Sequence, residues 1–356
     1  MDELIALIAL SRLQGLNTFK KKEIIDNHDR VGSLFEGKTK PVDRDVQKSI
    51  LSFKAWNEIE REIKKLEQMN VDIITIRDRE YPHLLKNIPD PPIVFYKKGS
   101  LNFKSNTIAI VGSRKATFTG INLAEKIADT LSAHGITVVS GFARGIDTSA
   151  HKGALRGKGK TIAVFGCGID ICYPSENGRL YEKIGEEGTL VTEYGLGEKP
   201  LQYHFPERNR IIAGLSKGIL VIEATQKSGS LITARCGIEY GRDVMAVPGN
   251  IFNDEYKGAN ALIKQGAKLV DNIEDIIVTC FPDLKFKEDK KGKTNKNEEM
   301  NQDENCVYSL IGFGKIHVDE IIEKSKMQTK DVMVILTGLE MKDLVRQFPG
   351  GFYIRK

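Results

Sequence analysis

Residues 108–147 read IAIVGSRKATFTGINLAEKIADTLSAHGITVVSGFARGID, and the way this stretch alternates decides the fold. Two short runs, 108–111 and 136–140, are rich in Ile and Val and lack strict polar alternation, so they read as strands covered on both faces. A segment of helix length separates them. Each run ends in glycine and small polar residues, Gly112-Ser113 after the first and Ser140-Gly141 after the second. Runs of the same kind recur at 161–165, 190–192, 219–222 and 244–247. Parallel strands alternating with helices describe an α/β, doubly wound domain, whose ligand should lie outside the carboxyl ends of the strands.

The strand ends carry the candidate chemistry. After the first come Gly112, Ser113, Arg114 and Lys115, then Thr117 and a helix opening near Gly120. A turning glycine, a hydroxyl and two cations beside a helix start favour an anion, and a phosphate is expected there; a tight turn with a surface arginine is the plainer reading. The second strand end aims Arg144 at the same rim and offers Asp147 to cap orphan amides. His151, next to Lys152, reads as a packing or phosphate-contact residue in preference to a general base. Gly166-Cys167-Gly168 begins like a dinucleotide fingerprint but has Ile171 where the third glycine belongs, and Gly159-Lys160-Thr161 enters a strand instead of opening a helix, which argues against a P-loop. Tyr173-Pro174 with Asn177 reads as a turn over the sheet edge.

The densest basic stretch holds Lys199, Tyr203, His204, Phe205, Arg208, Asn209 and Arg210. Cations interleaved with aromatic rings suit the phosphates and unpaired bases of a single strand. Core packing of Phe205 against the sheet is the competing reading. Lys227, Ser228, Gly229 and Ser230 open one more helix as a further phosphate cradle. Several Gly/Ser turns with nearby cations fit a polyanion laid across the sheet edge better than one small ligand.

These segments together resemble the bacterial DNA-processing protein A family (DprA, also called Smf). The carrying motifs are VGSRKAT at 111–117, SGFARGIDTSAHKGAL at 140–155, VFGCGIDICYP at 164–174, EYGLGEKP at 193–200, FPERNRIIAGLS at 205–216 and VIEATQKSGSLITARCGIEYGRDVMAVPGN at 221–250. The resemblance implies an extended Rossmann-like core that binds single-stranded DNA, protects it and helps load the recombinase RecA during natural transformation. By motif position Gly112, Ser113 and Arg114 match the family's phosphate-binding turn, and the stretch from Lys199 to Arg210 its basic, aromatic groove. Family members act as homodimers, and GANALIKQGA at 258–267, with Asn260, Ala261, Ile263 and Lys264, matches the dimer contact. Some relatives carry a basic residue after the Tyr-Pro pair where this chain has Ser175 and Glu176; Arg179 is the substitute to consider. No catalytic residue, cofactor or metal ligand is implied.

Outward from the core, residues 1–66 carry helical periodicity and form a small helical domain. Within it LQGLNTFKKKEII at 13–25 is a loose helix-hairpin-helix pattern with Asn17 near the place of the second turn glycine. The core is expected over 67–284. Residues 285–304 are rich in Lys, Glu, Asp and Asn and read as a flexible linker. Residues 305–356 read as helices followed by a hairpin turning at Pro349-Gly350-Gly351, a winged helix. Around 329–339 only Lys330 is cationic, so duplex reading through that helix looks poor.

Composition sets the bounds. The chain has 356 residues, 40% of them hydrophobic, which gives two or three folding units outside the disordered classes. The apolar run at 4–10 is too short for a span and lacks a basic flank, so a cytoplasmic protein without a membrane span is expected. Five cysteines without a CxxC pair read as idle thiols. A net charge of +5 is too mild to prove a nucleic-acid partner by itself. Two other classes stay open on the residues alone. One is a nucleotide-cleaving phosphoribohydrolase-like enzyme, which would carry Pro-Gly-Gly-x-Gly-Thr where this chain has Ser228-Gly229-Ser230-Leu231-Ile232-Thr233 and then Glu239. The other is a scaffold that contacts proteins only.

Overall fold

The computed structural model describes residues 2–38, 44–100, 106–157, 160–284, 300–312, 315–342 and 344–355. The chain divides into two units, Met1–Leu284 and Lys285–Lys356. The first opens with helices α1 (Glu3–Arg12), α2 (Thr18–Asp26), α3 (Gly32–Phe35), α4 (Arg44–Leu51) and α5 (Trp56–Gln68). There follow β1 (Asp72–Thr75), α6 (His83–Lys86), β2 (Val94–Gly99), β3 (Thr107–Val111), α7 (Phe118–Ala133), β4 (Thr137–Ser140) and α8 (Ile146–Arg156). The remainder is β5 (Thr161–Val164), α9 (Gly178–Glu187), β6 (Thr189–Thr192), α10 (His204–Gly214), β7 (Gly218–Val221), α11 (Ser230–Glu239), β8 (Asp243–Ala246), α12 (Lys257–Lys264), β9 (Lys268–Leu269) and α13 (Ile273–Cys280).

All six runs expected as strands are strands, within one residue or so of their expected bounds. β3, β4, β5, β6 and β7 are buried at every position, as strands sandwiched between helices must be. The sheet order is β1-β2-β6-β5-β4-β3-β7-β8-β9. The chain moves outward from β3 to β6 on one side, then returns to place β7 on the other side of β3, so the switch point lies between β3 and β7.

The sheet is mixed instead of purely parallel. β2 pairs antiparallel with β6 and with β1, a hairpin-like extension absent from the expected set. Its strands carry charges, Asp72 meeting Lys97 at 3.0 Å, as edge strands do. The helices before residue 66 leave no seam against the sheet. Leu7, Leu10 and Ile59 belong to the same apolar cluster as Ile74, Phe95, Val111 and Ile211. Arg77 reaches back to donate to Glu3 at 2.8 Å. In the 13–25 segment Asn17 caps α2 by accepting from the Lys20 amide, and Lys21 turns inward to the Ser11 carbonyl at 2.5 Å.

Most of the expected linker, residues 285–299, lies outside the described residues. Its last five positions do not: Asn301 and Glu304 form a capping box that starts α14 (Gln302–Leu310), so the second unit's helices begin before 305. That unit continues with β10 (Ile316–His317), α15 (Val318–Ser325), α16 (Thr329–Met341), β11 (Val345–Phe348) and β12 (Phe352–Arg355). The strands are ordered β10-β12-β11 over a core of Val307, Ile321, Leu336 and Tyr353, a winged helix in which Gly350 and Gly351 take the positive φ of the wing turn. Among the described residues no helix is long and apolar enough to cross a membrane.

Candidate nucleic-acid interface

The switch point opens into a cleft of about 600 Å3, bordered by the turn after β3, the first turns of α10 and the turn ahead of α11. Its floor is built from close backbone contacts. A Cβ at Gly112 would lie 2.6 Å from Ile146 Cγ1 and 2.9 Å from the Glu223 carbonyl, so only glycine lets β3 turn against the start of α8. The Ile146 amide donates to the Ser113 carbonyl at 3.2 Å, joining the two turns. Phe142 adopts a left-handed φ of 59°, held by Phe165, whose ring centroid is 5.0 Å away.

Asp147 does not cap the start of α8, which has no side-chain cap; it holds the loop ahead of it. Its carboxylate accepts from the amides of Gly141 at 3.1 Å and Ala143 at 3.4 Å, and burial pushes its pKa up to about 6, with Arg208 opposing the shift. Arg208 is the partner beneath it. The guanidinium donates to the carbonyls of Gly141, at 2.5 Å, and Val164, and from Nε to Asn209 Oδ1 at 3.2 Å. Burial lowers its pKa to about 10.

The expectation that Arg208 and Arg210 hold phosphates at the rim therefore needs correction. Arg208 is part of the floor. Arg210 is buried elsewhere, donating to the Asp90 carbonyl at 2.6 Å and pairing with the Glu193 carboxylate. Two residues along an α-helix rotate a side chain by about 200°, so the pair cannot share one face. Asn209 is also engaged, its amide donating to the Gly229 carbonyl at 3.2 Å and tying α10 to the Ser-Gly-Ser turn. In that turn Ser228 and Ser230 share a hydroxyl hydrogen bond of 2.7 Å.

Of the cations expected at the rim, Arg114 and Lys115 line the cleft, and Lys199 and Lys227 each adjoin a lining residue in sequence, Pro200 and Ser228; all four are exposed. Arg144 is exposed too but forms a two-pronged pair with Glu176, Nη2 to Oε2 at 2.7 Å. Phe205 fits neither reading alone. It is half-buried, Gly166 leaving room for its edge, with the Arg114 guanidinium 5.2 Å over its ring and Tyr173 leaning on it at 5.6 Å and 32°. Tyr173, read from sequence as a turn residue, thus lines the cleft. Nothing in its local sequence distinguishes it from a turn tyrosine.

Two carboxylates escaped the sequence reading. Glu223, at the end of β7, accepts from the Thr117 amide at 2.8 Å and from its hydroxyl, while Thr117 Oγ1 accepts from the Gly120 amide at 3.1 Å as the cap of α7. Glu255, from the loop after β8, takes the Ser113 hydroxyl at 2.9 Å, and Ser113 Oγ accepts from the Lys115 amide at 3.1 Å. Only the capping threonine hinted at the first; nothing local hinted at the second.

His151 is a core residue. Thr161 spends its hydroxyl proton on the Val138 carbonyl at 2.8 Å, so the 2.7 Å contact makes His151 Nδ1 the donor and leaves Nε2 unpartnered. Burial lowers its pKa to about 3, so it is a neutral packing group at ordinary pH. Of the residues expected at a dimer contact, Asn260 clasps the Gly249 backbone through bonds of 3.1 and 3.0 Å, Ala261 and Ile263 are half-buried, and Lys264 is exposed. All five cysteines are unpaired, and among the described residues no group of His, Cys, Asp or Glu is arranged to hold a metal ion.

A sequence model of the DNA recombination-mediator protein A family matches residues 72–281, from β1 through α13 and therefore the whole cleft. The chain belongs to that family. A second model, the DprA winged helix domain, matches residues 291–351. Protein Smf of Escherichia coli is 35% identical over 98% of this chain and 94% of its own length. The DNA processing protein DprA of Streptococcus pneumoniae is 47% identical over 57% of this chain and 72% of its own. A crystal structure of DprA from S. pneumoniae superposes with a TM-score of 0.67 at 36% identity, covering 81% of this chain and 99% of that one. DprA from Helicobacter pylori, described for its unique single-stranded DNA binding mode, gives 0.55 at 28% identity, covering 60% and 97%. The DprA core as matched starts at β1, so it includes the antiparallel extension and leaves α1 to α5 outside.

Proposed function

We propose that this DprA-family chain binds single-stranded DNA along the carboxyl rim of the sheet, protects incoming strands and helps load RecA onto them in natural transformation and recombination. One observation carries the reading. A single cleft gathers the Gly112-Ser113-Arg114 turn, the Ser228-Gly229-Ser230 turn and the Tyr173–Phe205 ring pair with Arg114 over it. Phosphates favour the turns, and a half-exposed aromatic face stacks any unpaired base without regard to sequence. The H. pylori relative's single-stranded DNA binding mode supports it. A binding role without catalysis is supported by the floor: Asp147 and Arg208 are saturated by backbone groups and by each other's charge, and His151 is buried. Unpaired cysteines suit a reducing, cytoplasmic setting.

The protein acts as a homodimer through the end of the sheet at β9, where Leu269 is exposed, Ile263 on the preceding α12 is half-buried, and Ile238 on α11 and Val278 on α13 are exposed.

Fluorescence-anisotropy titrations with single-stranded and duplex oligomers at several salt concentrations test the function. Single strands should bind tighter, and engagement of Arg114, Lys115, Lys199 and Lys227 should give a log–log salt slope of about −3. Equal affinity for duplex, or affinity indifferent to salt, overturns the reading.

A further inference from the structure

Glu255 stands where the proposed strand-binding site would hold a phosphate. Its Oε2 takes the hydroxyl of Ser113, which is only 6% exposed and which also accepts from the Lys115 amide. A carboxylate oxygen on a hydroxyl of an anion cradle occupies the place and the charge of a phosphate oxygen. We infer that Glu255 is the cradle's own anion, which lowers the affinity of every phosphate ligand by the same step and so holds an isolated phosphate or mononucleotide below measurable binding while a strand with further contacts along the rim still binds; the inference rests on the DNA-binding reading above.

The placement of Glu255 is over-determined. Its amide donates to Asn253 Oδ1 at 3.1 Å. The next residue, Tyr256, has its ring against Gly249, where a Cβ could not fit, and burial together with Glu223 raises the pKa of its hydroxyl. Gly249 in turn is held by both polar atoms of the Asn260 side chain. The preceding residue shows the contrast: Asp254 has a side chain 78% exposed and pairs with Lys257 on the surface. The backbone thus presents one carboxylate of this loop to the cradle and the other to water.

The energetic consequence is a threshold common to both kinds of ligand. A lone phosphate must break a charge-assisted bond and face a like charge for a single new contact. A strand meets the same cost once, then adds stacking on Phe205 and Tyr173 and contacts at Ser228 to Ser230. Displacement needs only rotation of a half-buried side chain.

The test compares wild type, Glu255→Gln and Asp254→Asn by isothermal titration with 5′-thymidylate and with an oligothymidylate of about 20 nucleotides. Glu255→Gln keeps the shape and removes the charge, so both ligands should bind about tenfold tighter, thymidylate becoming measurable. Asp254→Asn removes an equal charge from the same loop and should change either affinity by less than about twofold. Glu255→Ala, which removes the oxygens as well, should tighten binding like the Gln variant. The inference fails if the Glu255 variants bind no tighter than wild type, or if Asp254→Asn tightens binding as much. Wild type binding the oligomer with Glu255→Gln unchanged condemns the inference alone; no binding of the oligomer by any variant removes the DNA-binding reading and the inference together.

Discussion

Arg208 and Arg210 lie two positions apart on α10 and face opposite sides of it, and their chemistry differs accordingly. Arg208 neutralises buried Asp147 and ties two strand ends together through their carbonyls; Arg210 does the same for Glu193 and Asp90. Neither is free for a ligand, whereas Arg114, exposed above the half-buried Phe205 ring, is. Arg114→Ala should weaken single-strand binding about tenfold for every base composition while leaving the unfolding midpoint in place. Arg208→Ala or Arg210→Ala should instead lower stability by about 3 kcal/mol or more, since each leaves a buried carboxylate uncompensated. Denaturant unfolding run beside the binding titration separates the two outcomes; equal stability of all three variants would refute this assignment. Residue type alone marked these arginines as phosphate ligands, and only helical phase and burial distinguished floor from rim.

At the scale of elements, the strands were legible because a parallel strand covered on both faces must be apolar throughout, as Thr107–Val111 and Gly218–Val221 are at nearly every position. β1 and β2 were not legible, because one end of each is incompletely buried and carries Asp72, Lys97 and Lys98. The entry of α7 shows how an element is held at the site. Thr117 caps it, and Glu223 accepts from both the amide and the hydroxyl of that threonine. Thr117→Ala removes the cap and one of the bonds to a buried carboxylate, and should cost about 2 kcal/mol. Chemical denaturation measures it, and a loss below about 0.5 kcal/mol would show that the Glu223 contact contributes nothing to the element.

For the whole molecule, the sheet ends at β9, a short strand with both residues exposed that pairs only with β8. Ile238 at 60% and Leu269 at 42% exposure give that end an apolar character that a lone chain would leave in water. On the homodimer reading proposed above, the unaltered protein should sediment as a dimer and the double variant Ile238→Lys, Leu269→Lys as a monomer at the same concentration, with its fold intact by circular dichroism. A dimer that survives both changes places the contact elsewhere. The order of strands and helices, the turns that could take anions and the winged helix all follow from patterns within a few residues of each other, since period, glycine and capping are local properties. The inward turn of Arg208 and Arg210, the pairing of Tyr173 with Phe205 and the seat of Glu255 on Ser113, 142 positions away, were decided by tertiary structure, because each depends on which distant backbone reaches the same point and takes up the charge.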